Sequence, residues 1–187
     1  AGFVGRLSRE KAPERFLRLI HRLRGPAGWR GVICGSGSKE PELRSLADAL
    51  CLSGSLCWTG SRPGAETLVG ALDLLCIPSR TEGIPYVLLE GLAAGTPILA
   101  TPVGGVPEVL TGEILGLGCR DWDVEDWGAR AESFRSSTET RARWSDAARR
   151  RIRDFPEESS IDRIARLYAE LGRGGRGSEL SPASGRC

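Results

Sequence analysis

The sequence predicts an α/β fold: a parallel, Rossmann-like sheet with helices on both faces. Three observations predict it. Short apolar runs alternate with longer stretches whose apolar residues recur at helical spacing. Glycine-bearing loops follow several of those runs, at Gly5 to Lys11, Gly35 to Lys39 and Ser79 to Pro85. The chain has 187 residues, 40% of them hydrophobic, which suits one sizeable core.

The elements follow in order. Gly2 to Val4 reads as a strand running out into Gly5-Arg6-Leu7. Pro13 to Arg24 reads as a helix with Phe16, Leu19, Ile20 and Leu23 on one face and Pro13 in its first turn. Gly31 to Cys34 is a strand, Pro41 to Leu52 a helix, Leu56 to Thr59 a short strand and Ala65 to Gly70 a brief helical turn. Leu72 to Ile77 reads as a buried strand stopped by Pro78. Ile84 to Ala94 reads as a helix with Pro85 in its first turn and Gly95 as its stop. Pro97 to Thr101 is the next strand, Val106 to Leu110 a short helix and Ile114 to Gly118 a last strand. Three helical patterns close the domain, at Val124 to Ser136, Thr138 to Phe155 and Glu157 to Leu171. The domain is expected to span 1–171, with Gly172 to Cys187 a disordered Gly-, Ser- and Arg-rich tail. Alternation at this spacing implies right-handed crossovers, and ligands at the carboxyl ends of the strands.

Charge narrows the partners. With 26 basic against 24 acidic residues the net charge is +2, which argues against nucleic-acid binding. The arginines at 141, 143, 149, 150, 151 and 153 read as a solvated helix face, with peripheral contact to anionic lipid as the alternative. No apolar run reaches the length of a bilayer span and no charged-then-apolar leader opens the chain. The six cysteines lack zinc-ligand spacing, and Cys34 and Cys76 fall inside strands, so a reducing cytoplasm without disulfides is expected. His21, the single histidine, reads as a surface residue. The chain opens at Ala1 straight into a strand, which reads as a domain boundary.

The residues with most chemical content lie between Pro78 and Glu108. A strand ends at Pro78, a loop follows, and a helix opens near Pro85. Amides at such an opening suit a phosphate, and Gly83 leaves room for close approach. Five residues from Pro85 to Glu90 span roughly 7–8 Å along a helix axis. That spacing would let Glu90 hold a ribose diol and Glu82 hydroxyls beyond the phosphate, while two glutamates taken alone read equally as a solvated loop residue and a helix-surface residue. Three weaker patterns are set aside. Asp121-Trp122-Asp123 precedes a helical pattern, so Asp123 reads as a helix cap rather than a metal ligand. Ser36-Gly37-Ser38-Lys39 lacks the partner motifs of serine acyl enzymes. Gly35-x-Gly37 is too short for a dinucleotide fingerprint.

The whole stretch resembles the signature of the retaining glycosyltransferases of family 4, also called group 1. The matching residues are Pro78-Ser79, Glu82-Gly83, Glu90, Ala93-Ala94-Gly95, Thr96-Pro97 and Gly104-Gly105 with Glu108. Upstream, Gly5-Arg6-Leu7 and Lys11 resemble the family's Gly-Arg-Leu…Lys segment, Gly35-Ser36-Gly37 its Gly-x-Gly turn, and Thr59-Gly60-Ser61-Arg62 the stretch passing the nucleotide base. Gly116-Leu117-Gly118-Cys119 departs from the family pattern.

The resemblance implies one half of a two-domain GT-B enzyme, the carboxyl-terminal half that binds a nucleotide-diphosphate sugar. Arg6, Lys11 and Glu82 take catalytic roles in it. Gly5, Gly35, Gly37, Gly60, Ser61, Arg62, Ser79, Gly83, Ile84, Pro85 and Glu90 line the donor. It implies neither metal nor cofactor. The acceptor, a glycan, lipid or small molecule, would meet an amino-terminal domain in the same chain or on a partner. A stand-alone nucleotide-sugar-binding module and a sugar-nucleotide epimerase of the same fold are the alternatives.

Overall fold

The computed structural model describes residues 1–24, 28–111 and 122–156, with 165, 166 and 168. The chain divides into two compact units, Ala1–Ile152 and Arg153–Cys187. Among the described residues, the first contains a five-stranded, wholly parallel sheet and seven α-helices. The strands are β1 (Gly2–Val4), β2 (Gly31–Cys34), β3 (Leu56–Gly60), β4 (Leu75–Ile77) and β5 (Ile98–Ala100). The helices are α1 (Pro13–Leu23), α2 (Glu40–Ala49), α3 (Ala65–Gly70), α4 (Tyr86–Ala94), α5 (Val106–Val109), α6 (Val124–Ser136) and α7 (Thr138–Arg151).

The strand order is β3-β2-β1-β4-β5. Gly2 pairs with Val32 on one side and with Leu75 on the other, so β1 is central. Strands added first outward on one side and then on the other leave a switch point between β1 and β4. There the loops after the two strands lead away in opposite directions and open a crevice.

Burial explains the elements. Every residue of β4 and β5 is buried, as a sheet covered on both faces requires, whereas β3 at the edge is half exposed. Helix α1 buries Phe16, Leu17, Leu19, Ile20 and Leu23, with Phe16 and Ile20 against the sheet at Phe3 and Gly31, and has Pro13 in its first turn. Helix α4 crosses close to the sheet. A Cβ at Gly91 would come within 2.8 Å of Ile98 and 2.9 Å of Leu75. Helix α6 packs on α1 and α7 on α4, and Phe134 meets Trp144 edge to face at 6.1 Å.

Several boundaries differ from expectation. Helix α4 begins at Tyr86 rather than Ile84, because the α region is disfavoured for the residue before a proline. Pro85, with ψ of 131°, caps the helix instead of entering it. Helix α2 starts one residue early and ends at Ala49, not Leu52. Cys51 adopts φ of 53°, and Leu52 and Cys51 donate to Ala47 and Asp48, a left-handed stop made without glycine. Strand β4 begins at Leu75, since Leu72 still closes a turn onto Val69. Helix α7 ends at Arg151 and tightens into a 3₁₀ turn at Ile152–Asp154, ahead of Pro156.

His21 is half-buried rather than exposed, with Nδ1 3.1 Å from the Leu50 carbonyl. Cys34 and Cys76 are buried thiols, as expected of strand residues. The expected strand Ile114 to Gly118 and the tail Gly172 to Cys187 lie outside the described residues. So does the helix Glu157 to Leu171, apart from Ala165, Arg166 and Tyr168, which are helical. No helix among the described residues is long and apolar enough to cross a membrane.

Candidate functional site

The loops at the carboxyl ends of the strands form two groups that meet at the switch point. The first comprises the loops after β1, β2 and β3. Main-chain hydrogen bonds join them: Gly5 N to Cys34 O at 2.9 Å, Leu7 N to Ser36 O at 2.9 Å, Gly35 N to Gly60 O at 2.9 Å and Lys39 N to Leu7 O at 3.0 Å. Gly35 has φ of 145°, and a Cβ there would stand 1.9 Å from the Gly5 carbonyl oxygen. Only glycine satisfies both conditions. Gly37 also lies close to Leu7, 2.4 Å from its oxygen by the same construction.

Between these loops lies a cavity of about 380 Å³, lined among others by Gly5, Arg6, Gly35, Ser36, Ser61 and Arg62. Among the described residues of its wall, Arg6 and Arg62 carry charge, and both are exposed.

The second group comprises the loops after β4 and β5, joined to the start of α1. Lys11 Nζ donates to both oxygens of Glu82, at 2.7 and 2.6 Å. Ser79, 1% exposed, donates its hydroxyl to Glu82 Oε1 at 2.6 Å. The Glu82 side chain is 6% exposed and that of Lys11 32%. A carboxylate so enclosed requires a cation and further donors, and it has both. The loop is held from behind as well. Arg80 N donates to Glu10 O at 2.7 Å, the Arg80 guanidinium meets Glu14 at 2.7 Å, and Arg15 Nη1 donates to Pro78 O at 3.0 Å. Burial first, and then the charge of Arg80, pull Arg15 below its ordinary pKa, with Glu14 opposing. A guanidinium keeps its proton at neutral pH regardless.

From β5, the Gly104-Gly105 pair closes onto the same loop. Gly105 N donates to Gly83 O at 2.9 Å. Gly104 has φ of 57°, and a Cβ on it would fall 1.7 Å from Glu82 O. Helix α4 then opens at Tyr86, and no side chain caps it. Leu88 N turns back onto Pro85 O at 3.0 Å, and the amides of Tyr86 and Val87 remain for a ligand or water. Pro85 is buried, Ile84 and Tyr86 are exposed, and Glu90 stands half-buried one turn into the helix.

The structure thus gathers the candidate residues into two clusters. Gly5, Arg6, Gly35, Ser61 and Arg62 surround the cavity, with Gly37 in a loop that frames it and Gly60 at the end of β3. Lys11, Ser79 and Glu82 form one hydrogen-bonded group beside Gly83, Ile84, Pro85 and Glu90. The loop from Gly5 to Lys11 borders both. Sequence reading missed Glu10, Glu14, Arg15, Arg80 and Thr101, whose partners lie 22 to 70 residues away. Only their proximity to the flagged loops hinted at them. Asp123 caps α6, accepting from Asp126 N at 2.8 Å. Among the described residues there is no cluster of three or more His, Cys, Asp or Glu able to hold a metal.

The profile of the family described as glycosyl transferases group 1 matches residues 1–151. The chain belongs to the group 1 glycosyl transferases. Among curated relatives, a D-inositol 3-phosphate glycosyltransferase of Corynebacterium jeikeium is 34% identical over 97% of this chain and 46% of its own length. The group 1 chain therefore spans about half the length of the relatives it matches. Among solved structures, Anabaena Alr3699/HepE in complex with UDP-glucose superposes with a TM-score of 0.83 at 20% identity, covering 90% of this chain and 48% of that one. The carboxyl-terminal domain of LpcC, a group 1 family protein of Francisella tularensis, matches at 0.73 and 18% identity over 82% of this chain and 84% of its own. The fold is that of one Rossmann-like half of a GT-B glycosyltransferase.

Proposed function

We propose that this chain is the donor-binding, carboxyl-terminal half of a retaining family 4 glycosyltransferase. It takes a nucleotide-diphosphate sugar and delivers the glycosyl group to an acceptor held by an amino-terminal half, in the same protein or on a partner. The observation that carries the reading is the meeting of Lys11 and Glu82 at the switch point. A cation from the loop after β1 and a carboxylate from the loop after β4 stand together beside an uncapped helix. The Anabaena neighbour was crystallised with UDP-glucose, which supports a nucleotide-sugar donor.

In this reading the pyrophosphate lies across the crevice, between Arg6 and the first amides of α4. An ammonium carries three hydrogens. Two of those on Lys11 go to Glu82, leaving one for a phosphate oxygen. As the glycosidic bond opens, negative charge grows on the departing diphosphate. Arg6, Lys11 and the helix opening are already in place to stabilise it, the arrangement that usually supplies the largest catalytic term. Glu82 accepts from sugar hydroxyls and Glu90 from the ribose, while Ser61 and Arg62 border the cavity taken by the nucleoside. These cations meet the charge of the diphosphate without a metal. A cytoplasmic enzyme drawing on soluble sugar nucleotides fits this chemistry, and the relatives make D-inositol 3-phosphate the first acceptor to try.

Calorimetric titration of the chain with UDP, GDP, ADP and their glucose derivatives tests the reading. At least one pair should bind. Glu90→Ala should then weaken the nucleotide about tenfold or more, the cost of a lost charged hydrogen bond. A folded chain that binds none of the six ligands would overturn the proposal.

A further inference from the structure

Arg15 and Thr101 have no part in that scheme, yet both hold the loop that carries Glu82. Thr101, 4% exposed, lies just past β5. Its hydroxyl is 2.5 Å from Ser79 O and 3.3 Å from Ile77 O, and its amide donates to Ile77 O at 3.0 Å. A hydroxyl has one hydrogen to donate, and the shorter distance assigns it to Ser79. Arg15 approaches from α1, donating to Pro78 O at 3.0 Å with its guanidinium 5.5 Å from the centre of the Trp122 ring. Arg80 N, next along, donates to Glu10 O.

Three consecutive residues, Pro78, Ser79 and Arg80, are therefore tied to donors or acceptors on three other segments. This is far more restraint than a surface connection requires. Its product is the direction of two side chains: Ser79, and Glu82 onto which Ser79 donates.

We propose that Arg15 and Thr101 are positioning residues for donor-sugar recognition, acting through Ser79 and Glu82. The inference rests on the reading of Glu82 given above. It assigns the two residues to the sugar and not to the diphosphate. Arg6 stands on a different loop, after β1, whereas Glu82 follows Pro78 and Ser79 on the same loop and accepts from the Ser79 hydroxyl. Supporting groups of this kind fix a ligand-binding side chain within the narrow range in which it works.

The test is calorimetric titration of the whole chain with UDP-, GDP- and ADP-glucose, each against its free diphosphate. Arg15→Ala and Thr101→Val should each weaken the sugar nucleotide by about tenfold while changing the free diphosphate less than about twofold. Arg15→Lys keeps a charge and a donor for Pro78 O but loses the planar group over Trp122, and should recover part of the loss. Adding Arg15→Ala to Glu82→Gln should cost nothing further, because both act through one carboxylate. Equal losses for sugar nucleotide and diphosphate would overturn the proposal. So would full additivity with Glu82→Gln, or unfolding of both variants, which would make the contacts purely structural. Failure of the unaltered chain to bind any ligand would instead strike the proposed function itself.

Discussion

The two flanks of the switch crevice are built from different material. The flank formed after β1, β2 and β3 is main chain held to main chain, with glycines where the backbones touch. The flank formed after β4 and β5 is made mostly of side chains: Lys11, Ser79, Glu82, Arg15, Thr101 and Arg80. The main-chain bonds of the first flank carry no net charge, so its shape is set by sterics, and Arg6 and Arg62 add charge at its surface. A side-chain flank carries charge into the crevice, at the cost of enclosing a carboxylate that needs permanent partners. One flank offers a fixed shape with arginines in its wall, and the other a carboxylate whose direction depends on its side-chain partners.

The largest effect should come from filling a close approach on the main-chain flank. Gly35→Ala would drive a methyl into Gly5 O and force a side chain into a backbone conformation it resists. Urea unfolding should show a loss of at least about 3 kcal/mol. Gly83→Ala is the control from the opposite flank. Nothing stands within 4 Å of a Cβ at Gly83, so stability should hold within about 0.5 kcal/mol. Similar losses from both substitutions would erase the distinction between the flanks.

The side-chain flank should break differently. Lys11→Ala leaves the enclosed Glu82 carboxylate with Ser79 but without its cation. Unpairing a deeply buried carboxylate costs ~3–5 kcal/mol. Because Lys11 is a third exposed and water can partly take its place, about 2 kcal/mol is expected. Lys11→Ala combined with Glu82→Gln should be more stable than Lys11→Ala alone, since the stranded charge is gone. A double-mutant cycle by urea unfolding reads this directly. A double variant weaker than the single one would mean that Lys11 stabilises by packing and not by charge.

This contrast also marks what the sequence could reveal. Strands and helices were legible because burial on both faces leaves unbroken apolar runs such as Leu74-Leu75-Cys76-Ile77, and burial on one face leaves a periodic stripe such as that of α1. Ends were less legible where the stop is made by an unusual residue. Cys51 in a left-handed conformation ends α2 with no glycine to announce it. Ser79, Glu82 and the glycines stood out within their own loops. The pairing of Lys11 with Glu82 across 71 residues did not, nor did the reason Gly104 must be glycine, which is the nearness of Glu82 O. Local pattern marks the participants, and topology alone decides who meets whom.

The smallest effect concerns the thiols beneath the two flanks. Cys34 ends β2 under the first, with Sγ 3.6 Å from Gly60 O, and Cys76 lies in β4 under the second. Burial pushes the Cys76 thiol from its ordinary 9.0 up to about 12. Between those values the unfolded chain releases a proton that the folded chain keeps, so stability is whole below pH 9 and falls as pH rises toward 12. At pH 10 the loss should be about 1 kcal/mol, the weight of roughly one pH unit. Cys76→Ala should flatten the slope of stability against pH above 9 by that amount, whatever its fixed cost from lost packing. Thiol labelling at pH 8 gives the matching kinetic readout: exposed Cys51 and Cys57 should react at once, and Cys76 only as fast as the domain unfolds. Prompt labelling of Cys76 would show that β4 opens on its own. The restraint that the flank above it places on Pro78 and Ser79 would then not extend down into the strand.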